Sequence, residues 1–152
     1  TVNSAAVRDP ALIDAIAGRY GSQFVVVAID ARRDEASGRW VVTTHGGRVP
    51  TERELIGWAR EAQERGAGEI LFTSMNHDGT KSGYPCETFA RLAEELSIPV
   101  IASGGAGTVD HIAEVLTGGR ADAALAASIF HYGEIPIPVL KAALRDRGIL
   151  VR

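Results

Sequence analysis

The chain has 152 residues, 45% of them hydrophobic and 23% charged, which is the balance of an ordinary folded domain. The 16 lysines and arginines and 19 aspartates and glutamates give a net charge of −3, and without a basic run this argues against a nucleic-acid partner. No apolar run approaches the roughly 20 residues that span a bilayer, and no secretory leader pattern is present, so we expect a cytoplasmic protein without a membrane partner. The single cysteine, Cys86, excludes an internal disulfide and a multi-cysteine zinc site.

Short apolar runs alternate with amphipathic segments along the chain. The runs predict four strands, over residues 24–29, 69–73, 99–103 and 122–127. The first run, FVVVAI, is nearly continuous and β-branched, which is typical of a strand in a parallel sheet. Val2 is expected to end an earlier strand, and residues 31–33 and 39–44 are expected to form a small hairpin inserted after the first full strand.

Capping residues and glycines mark helices between these strands. Thr51 and Glu54 are spaced as a capping box, Thr108 is a hydroxyl N-cap, and Asp9-Pro10 is typical of an N-cap followed by the first helical residue. These signals predict helices over residues 10–20, 51–65, 85–96 and 108–118, and a last helix that begins at Pro136 or Pro138 and ends near residue 148.

Strands that alternate with helices predict parallel βαβ units with right-handed crossovers. Two architectures are compatible with this pattern, an open doubly wound sheet and part of a (β/α)8 barrel. A complete barrel takes about 250 residues, or roughly 31 for each unit, so four units and a hairpin insert fit this chain. The length therefore favours an α/β fold that is roughly half a TIM barrel.

Asp30 directly follows the first predicted strand, at the strand end where active sites of parallel α/β folds gather. A carboxylate there loses part of its hydration, which raises its pKa and suits a general acid or base. The alternative is an ion pair of Asp30 with Arg32 or Arg33. Position alone does not separate the two interpretations.

Two loops predict a phosphate site. The loop from Ser103 through Gly104 and Gly105 follows the third strand and opens a helix, and its glycines let backbone N–H groups approach an anion closely. Ser128 follows the fourth strand, and barrel phosphate sites often use the loops after the last two strands. A plain tight turn is the alternative for either loop alone.

Other polar residues carry weaker signals. The polar, glycine-punctuated loop at residues 76–83 is typical of a mobile substrate loop, and His77 in it is a candidate proton shuttle, although a loop histidine is more often inert. Cys86 is expected in a helix as a small apolar side chain. The four histidines do not match a metal-ligand pattern, so we assign neither a metal nor a cofactor.

Five segments in order carry a family resemblance: GSQFVVVAIDARR, THGG, GAGEILFTSMNHDGTKSGY, IPVIASGGAGT and ADAALAASIFH. Together they resemble imidazole glycerol phosphate synthase, cyclase subunit, over essentially the whole chain. The resemblance is to the C-terminal half of that family's (β/α)8 barrel. We therefore expect residues 1–152 to form a single domain that corresponds to this half-barrel.

The resemblance implies a lyase of histidine biosynthesis. Members of the family combine ammonia from a glutaminase partner with a phosphoribulosyl formimino-aminoimidazole carboxamide ribotide. The products are imidazole glycerol phosphate and an aminoimidazole carboxamide ribotide. The family uses two catalytic aspartates, and one of them lies on a first strand that is outside this sequence, so the chain alone is expected to be inactive.

The resemblance also assigns roles to individual residues. Asp30 matches the second catalytic aspartate, and Glu69 matches a member of the charged ring that gates ammonia entry. Asn76 stands where many members carry Asp, and it adds no charge. The resemblance implies that one substrate phosphate contacts Gly79, Gly105, Ala127 and Ser128, with Gly104 in the same glycine loop. It implies that the other phosphate contacts Asn3 and Ser4. Thr73 and Ser103 are implied to face the substrate.

Two alternatives stay open. The sister phosphoribosylformimino isomerase shares the fold, binds a two-phosphate ligand and uses paired aspartates, although the segment GAGEILFTSMNHDGTKSGY favours the cyclase. The other alternative is a non-catalytic, phosphate-binding assembly module, because half a barrel leaves its first and last strands as open sheet edges. The expected partners are a glutaminase subunit and either an N-terminal half-barrel or a second copy of this chain.

Overall fold

The computed structural model describes residues 1–152. The strands are β1 (Val26–Arg33), β2 (Trp40–Thr44), β3 (Val49–Glu54), β4 (Glu69–Ser74), β5 (Val100–Ser103) and β6 (Ala123–Ala124). The helices are α1 (Ser4–Arg8), α2 (Ala11–Tyr20), α3 (Leu55–Glu64), α4 (Cys86–Glu95), α5 (Val109–Leu116), α6 (Ser128–His131) and α7 (Ile137–Asp146). None of these helices has the length and apolar character that a membrane span requires.

All six strands form one sheet in the order β3-β2-β1-β4-β5-β6. The strands β1, β4, β5 and β6 are parallel to one another, and β2 and β3 are antiparallel additions at one edge. The four parallel strands correspond to the four predicted strands. The α/β fold with a half-barrel of four βα units is therefore confirmed.

The predicted hairpin is confirmed, but it is larger than expected. Strand β1 continues through Asp30 to Arg33 and pairs antiparallel with β2, so that Asp30 faces Thr43 and Arg33 faces Trp40. Strand β3 adds a third, unpredicted strand to this unit. We use the term hairpin insert for residues 30–54.

The predicted capping box is wrong. Thr51 lies in β3, where its hydroxyl donates to the carbonyl of Val42 at 2.8 Å, so it is not available to a helix. Glu54 itself caps α3, because its carboxylate accepts from the N–H of Gly57 at 3.1 Å. The helix therefore begins at Leu55, four residues later than predicted.

Smaller corrections concern element ends. Phe24 belongs to a 3-10 turn before β1, and β6 is reduced to Ala123–Ala124. Asp9 makes no side-chain cap, and α2 starts after Pro10. The short helices α1 and α6 were not predicted, while Thr108 caps α5 as expected by accepting from the N–H of His111 at 3.2 Å.

The edge of β1 is covered along its length, contrary to the expectation that the first strand would be open. Beyond Asp30 it pairs with β2, and before it the N–H of Val2 donates to the carbonyl of Val26 at 2.9 Å. The carbonyl of Val2 accepts in turn from the N–H of Ala28 at 2.7 Å, so Val2 forms the predicted stub of a parallel strand. The sheet edges are instead β3 and the very short β6.

The two faces of the parallel strands differ in burial. On one face Val27, Ile29, Ile70, Phe72 and Val100 are fully buried. They form one apolar cluster with side chains of the helices. Every second residue points to the opposite face, which is largely uncovered. This opposite face, here called the open face, corresponds to the interior of a barrel.

Candidate active site

A row of polar side chains crosses the open face near the carboxyl ends of the strands. Asp30 on β1 lies in register with Thr73 on β4, and Thr73 lies in register with Ser103 on β5. Register partners in parallel strands point to the same face, so the three side chains form one continuous row. The sequence predicted each residue separately, and the strand pairing brings them together.

Asp30 lies inside β1 rather than after it, because the hairpin insert extends the strand. Burial raises the pKa of Asp30 above its ordinary value, the hydrogen bond from Asn3 opposes this shift, and the charge of Asp78 adds to it. Arg33 donates to the carbonyl of Gly38 at 3.3 Å instead of pairing with Asp30. The carboxylate is thus half-buried and held by an amide, which suits acid–base chemistry better than the ion-pair interpretation.

Asn3 and Ser4 lie where the chain enters α1. The side-chain amide of Asn3 donates to Asp30 Oδ2 at 3.1 Å, and Asn3 Oδ1 is buried without a hydrogen-bond partner. The hydroxyl of Ser4 accepts from the N–H of His45 in the hairpin insert at 3.1 Å, which leaves its own O–H free to donate. Asn3 therefore contacts the carboxylate directly, and Ser4 contacts the insert.

Next to Ser103, a cavity of about 120 Å³ opens between the loops after β4, β5 and β6. A single water needs only about 10–15 Å³ by this measure, so the cavity has room for a polyatomic ion. The lining includes the predicted residues Gly79, Ser103, Gly104, Gly105, Ala127 and Ser128. The structure thus brings together six residues from three separate segments of the chain, at or after the carboxyl ends of β4, β5 and β6.

Backbone conformation explains why glycines line this cavity. Gly104 and Gly105 have φ values of +86° and +119°, which L side chains rarely adopt. A Cβ on Gly104 would lie 2.6 Å from the carbonyl oxygen of Ser74, and one on Gly105 would collide with the carbonyl of Gly83. The N–H groups of Gly79, Gly104 and Gly105 donate to no acceptor in the chain, so they are available to an anion.

Charged residues at the rim of the cavity were not predicted. Lys81 forms an ion pair with Glu134 at 2.6 Å, which ties the loop after β4 to the segment between α6 and α7. Asp78 also lines the cavity and contributes the charge that Asp30 experiences. Only the folded loop reveals these neighbours, since nothing in local spacing distinguishes Lys81 or Asp78 from ordinary turn residues.

The side chain of Asn76 contacts the backbone of Arg33 and does not join the polar row. Its oxygen accepts from the N–H of Arg33 at 2.8 Å, and its NH₂ group lies 3.4 Å from the carbonyl of Arg33. This double contact needs an amide, because a carboxylate cannot donate. Asn76 therefore fastens the loop after β4 to the base of the hairpin insert.

His77 is less exposed than the sequence suggests. Its Nδ1 lies 2.7 Å from the hydroxyl of the fully buried Ser74, and burial lowers the pKa of His77. Cys86 is half-buried at the start of α4, and burial raises the pKa of its thiol. Neither side chain lies in the polar row or lines the glycine-loop cavity. No group of three His, Cys, Asp or Glu side chains is placed to hold a metal ion.

Glu69 begins β4, at the opposite end of the open face from Thr73. It is paired in register with Val26 and is half-buried. By strand alternation Glu69, Leu71 and Thr73 share the open face. Two aromatic side chains stand exposed at this end: Tyr20 is 51% exposed and Phe24 is 67% exposed, with ring centroids 6.0 Å apart.

The parallel sheet, with helices on one face and polar residues at the carboxyl ends of its strands, defines an α/β protein of the (β/α)8-barrel class. The model of a family described as "Histidine biosynthesis protein" matches residues 1–136, and the chain belongs to that family.

Curated relatives match the chain over all of its 152 residues. It is 59% identical to a protein of Bacteroides fragilis, 57% identical to one of Bacteroides thetaiotaomicron and 55% identical to one of Flavobacterium johnsoniae. Each of these three proteins is named imidazole glycerol phosphate synthase subunit HisF. The chain spans 60% of the length of each relative.

Proposed function

We propose that this chain is the C-terminal half-barrel of an imidazole glycerol phosphate synthase cyclase, a lyase of histidine biosynthesis. The whole protein would use ammonia from a glutaminase partner to convert a phosphoribulosyl formimino-aminoimidazole carboxamide ribotide into imidazole glycerol phosphate and an aminoimidazole carboxamide ribotide. The observation that carries the proposal is the polar row Asp30, Thr73 and Ser103 beside the glycine-loop cavity. It places a half-buried carboxylate in one row with Ser103, and Ser103 lines a cavity with free N–H donors.

Within this proposal Asp30 is the acid–base group and the cavity holds one substrate phosphate. Burial raises the pKa of Asp30, which favours its use as a general acid or base, and the hydrogen bond from Asn3 holds the carboxylate in place. Thr73 and Ser103 have hydroxyls that can donate to the substrate between these two groups. The free N–H groups of Gly79 and Gly105 suit a phosphate.

The proposal requires a second half-barrel for turnover. The open face bears apolar residues such as Leu71 and Ile101 that are only half-buried, and the second catalytic aspartate implied by the resemblance lies outside this chain. An N-terminal half-barrel would supply both the cover and the carboxylate. A second copy of the chain would supply the cover alone, and in that arrangement the chain is the non-catalytic assembly module.

The proposed glutaminase docks at the end of the sheet where the strands begin. Glu69 lies there on the open face, at the entrance that the proposed ammonia route would use. Tyr20 and Phe24 present apolar rings beside the start of β1, and Arg19 lies over the ring of Tyr20 at 5.3 Å from its centroid. Exposed aromatic groups with a neighbouring arginine are enriched in protein interfaces, which supports a partner at this end.

The phosphate part of the proposal is best tested at Gly79. Its φ is +75°, no atom lies within 4 Å of the place of a Cβ, and Asp and Asn are the residues that best tolerate this conformation. Gly79→Asp should weaken binding of inorganic phosphate to the glycine-loop cavity about tenfold, because it places a carboxylate beside the anion. Gly79→Asn is the matched neutral control and should bind phosphate within about threefold of the parent. Equal affinity of the two variants in calorimetry contradicts the site.

Turnover is tested by reconstitution. Three samples are assayed with ammonia and substrate. They are the chain alone at low concentration, the chain alone at high concentration, and the chain mixed with a separately produced N-terminal half. Activity is expected only in the mixture with the N-terminal half. Full turnover by the chain alone contradicts the requirement for a second half, and absence of turnover in a well-folded mixture contradicts the cyclase proposal.

A further inference from the structure

His111 is a half-buried histidine in the first turn of α5, and it neither joins the polar row nor lines the glycine-loop cavity. Its backbone N–H donates to the N-cap hydroxyl of Thr108 at 3.2 Å. Its ring nitrogen Nδ1 accepts from the N–H of Gly107, also at 3.2 Å. The imidazole therefore turns back from the helix and contacts the glycine loop that precedes it.

The hydrogen bond from Gly107 fixes the state of the ring. An imidazole nitrogen that accepts an N–H carries no proton of its own, so the proton of the neutral ring is on Nε2. The same hydrogen bond occupies the N–H of Gly107, whereas the N–H groups of Gly104 and Gly105 donate to no acceptor in the chain. His111 thus separates an N–H that is used inside the protein from two that are available to an anion.

The ring of His111 also lies against the loop after β4. A Cβ on Gly83 would stand 3.4 Å from Cδ2 and 3.6 Å from Nε2 of the imidazole. Gly83 is buried, and its N–H donates to the carbonyl of Gly105 at 2.9 Å. These contacts form a closed cycle from His111 through Gly107 and Gly105 to Gly83 and back. One side chain therefore supports both of the loops that meet at the cavity.

The glycine loop is closely packed against backbone as well. A Cβ on Gly107 would lie 2.6 Å from the carbonyl oxygen of Lys81, and one on Gly105 would collide with the carbonyl of Gly83. His111 makes the one side-chain hydrogen bond to residues 104–107. A displacement of Gly107 would therefore be transmitted to Gly105, and only His111 opposes it with a side-chain hydrogen bond.

We propose that His111 is a positioning residue, which acts through the N–H of Gly107 to hold the free N–H groups of Gly104 and Gly105 in the geometry that binds a phosphate. The inference rests on the proposed function in placing a phosphate in the glycine-loop cavity. A loop that holds its binding geometry for only part of the time has an apparent affinity reduced by that fraction. Loss of the Nδ1 acceptor should therefore weaken phosphate binding, although His111 itself does not line the cavity.

Two variants of nearly identical shape separate the acceptor from the volume of the side chain. In His111→Asn the side-chain oxygen Oδ1 stands in the place of Nδ1 and can accept the N–H of Gly107. In His111→Leu a methyl group stands there and accepts nothing. Leucine has the higher helix propensity of the two, so weaker binding by His111→Leu cannot be ascribed to a less stable α5.

The measurement is a calorimetric titration of the 152-residue chain and its variants with inorganic phosphate. His111→Leu should bind phosphate about three- to tenfold more weakly than the parent, which corresponds to the loss of one net hydrogen bond. His111→Asn should restore the affinity to within about twofold of the parent. Hydrogen exchange of the Gly107 amide should be faster in His111→Leu than in His111→Asn. Urea unfolding checks that each variant is folded.

The outcomes separate this inference from the proposed function. Parent-like phosphate affinity in His111→Leu overturns the inference and leaves the glycine-loop phosphate site intact. Equal weakening in both variants overturns it as well, because the ring packing against Gly83 would then matter and the Nδ1 acceptor would not. Absence of phosphate binding by the parent contradicts the proposed phosphate site and the inference together.

A second measurement needs no variant. The ¹⁵N chemical shifts of the two ring nitrogens of His111 distinguish a protonated from an unprotonated nitrogen in the parent chain. We expect the neutral ring to carry its proton on Nε2, with Nδ1 as the acceptor. A neutral ring with its proton on Nδ1 cannot accept the N–H of Gly107, and this result overturns the inference even where a variant fails to fold.

Discussion

The two faces of the parallel sheet show how one set of strands performs two tasks. On the helix-covered face Val27, Ile29, Ile70, Phe72 and Val100 are all fully buried. On the open face the alternating positions include Asp30, Leu71, Thr73 and Ile101, all of which keep contact with solvent. Because side chains alternate strictly along a strand, each strand contributes to both faces at once.

Residues that stabilise the fold and residues that can contact a ligand therefore alternate along the sequence of each strand. Adjacent residues such as Phe72 and Thr73 belong to different environments, so a change at one need not disturb the other. The covered face supplies the apolar burial that stabilises the chain, and the open face places polar groups where a ligand and a second half-barrel can reach them. The difference between the faces can be tested by substitutions at neighbouring positions.

The largest expected effect is on the open face. In the complete barrel, Asp30→Asn should lower ammonia-dependent turnover by about 10²- to 10⁴-fold, since one acid–base group is lost. Substrate affinity should change by less than about threefold, because the phosphate contacts lie elsewhere. Steady-state kinetics with ammonia and substrate provide the measurement. Turnover within a few-fold of the parent would show that Asp30 is structural.

Two adjacent positions of β4 compare the faces in stability. Phe72 is fully buried and packs against Trp40 and Phe89, with ring centroids at 5.4 and 4.9 Å. Phe72→Ala should therefore cost about 3–5 kcal/mol of unfolding free energy. Leu71→Ala should cost less than about 2 kcal/mol, because Leu71 points to the open face and is half-exposed. Urea unfolding of the chain measures both, and equal losses would contradict the division between the faces.

Asp30 in β1 and Asp34 in the turn after β1 should contribute to the free energy of unfolding with opposite dependence on pH. The pKa of Asp30 is raised by burial above 3.8, so the folded chain holds this proton more tightly and its stability falls as pH rises through the raised value. Asp30→Asn should therefore raise the urea midpoint at pH 7 and leave it nearly unchanged at pH 3.

Asp34 is the control for that experiment. Hydrogen bonds from the backbone and side chain of Ser37 lower the pKa of Asp34, so its contribution is present above pH 3.8 and is lost as pH falls through the lowered value. Asp34→Asn should lower the urea midpoint at pH 7. A shift of the same sign for both variants would show that burial of Asp30 is not what sets its pKa.

The smallest expected effect is at Asn76. Asn76→Asp keeps the acceptor for the N–H of Arg33 but loses the donor to its carbonyl, which should cost less than about 1 kcal/mol. Turnover of the complete barrel should remain within about threefold of the parent. A large loss of turnover with unchanged stability would instead place Asn76 among the reacting groups.

Much of this fold could be predicted from the sequence because its signals are local. The apolar runs at β1, β4 and β5, the hydroxyl cap at Thr108 and the glycines of the loop after β5 each act within a few residues. Even the stub at Val2 followed from its position next to Asn3-Ser4. Ser103, Gly104, Gly105 and Ser128 could be chosen because strand ends in a parallel sheet meet at one edge. Gly79 and Ala127 followed only from the family resemblance.

The remaining features depend on contacts between distant segments. Thr51 and Glu54 match a capping box by spacing, but pairing of β3 with β2 takes Thr51 into a strand and leaves Glu54 alone as the cap. The contact of Asn3 with Asp30 joins residues 27 positions apart, and that of Asn76 with Arg33 joins residues 43 positions apart. Periodicity within a window of a few residues contains no information about such pairs.

The turn between β2 and β3, at residues 45–47, packs directly against the side chain of Met75. A Cβ on Gly47 would collide with the end of the Met75 side chain, so the thioether lies directly under the turn. Met75 is the only methionine among the 152 residues, and it is half-buried. A sulfoxide oxygen on Met75 would add volume and polarity at its contact with Gly47. Oxidation of the one thioether among these 152 residues would therefore act first at its contact with Gly47 in the turn between β2 and β3.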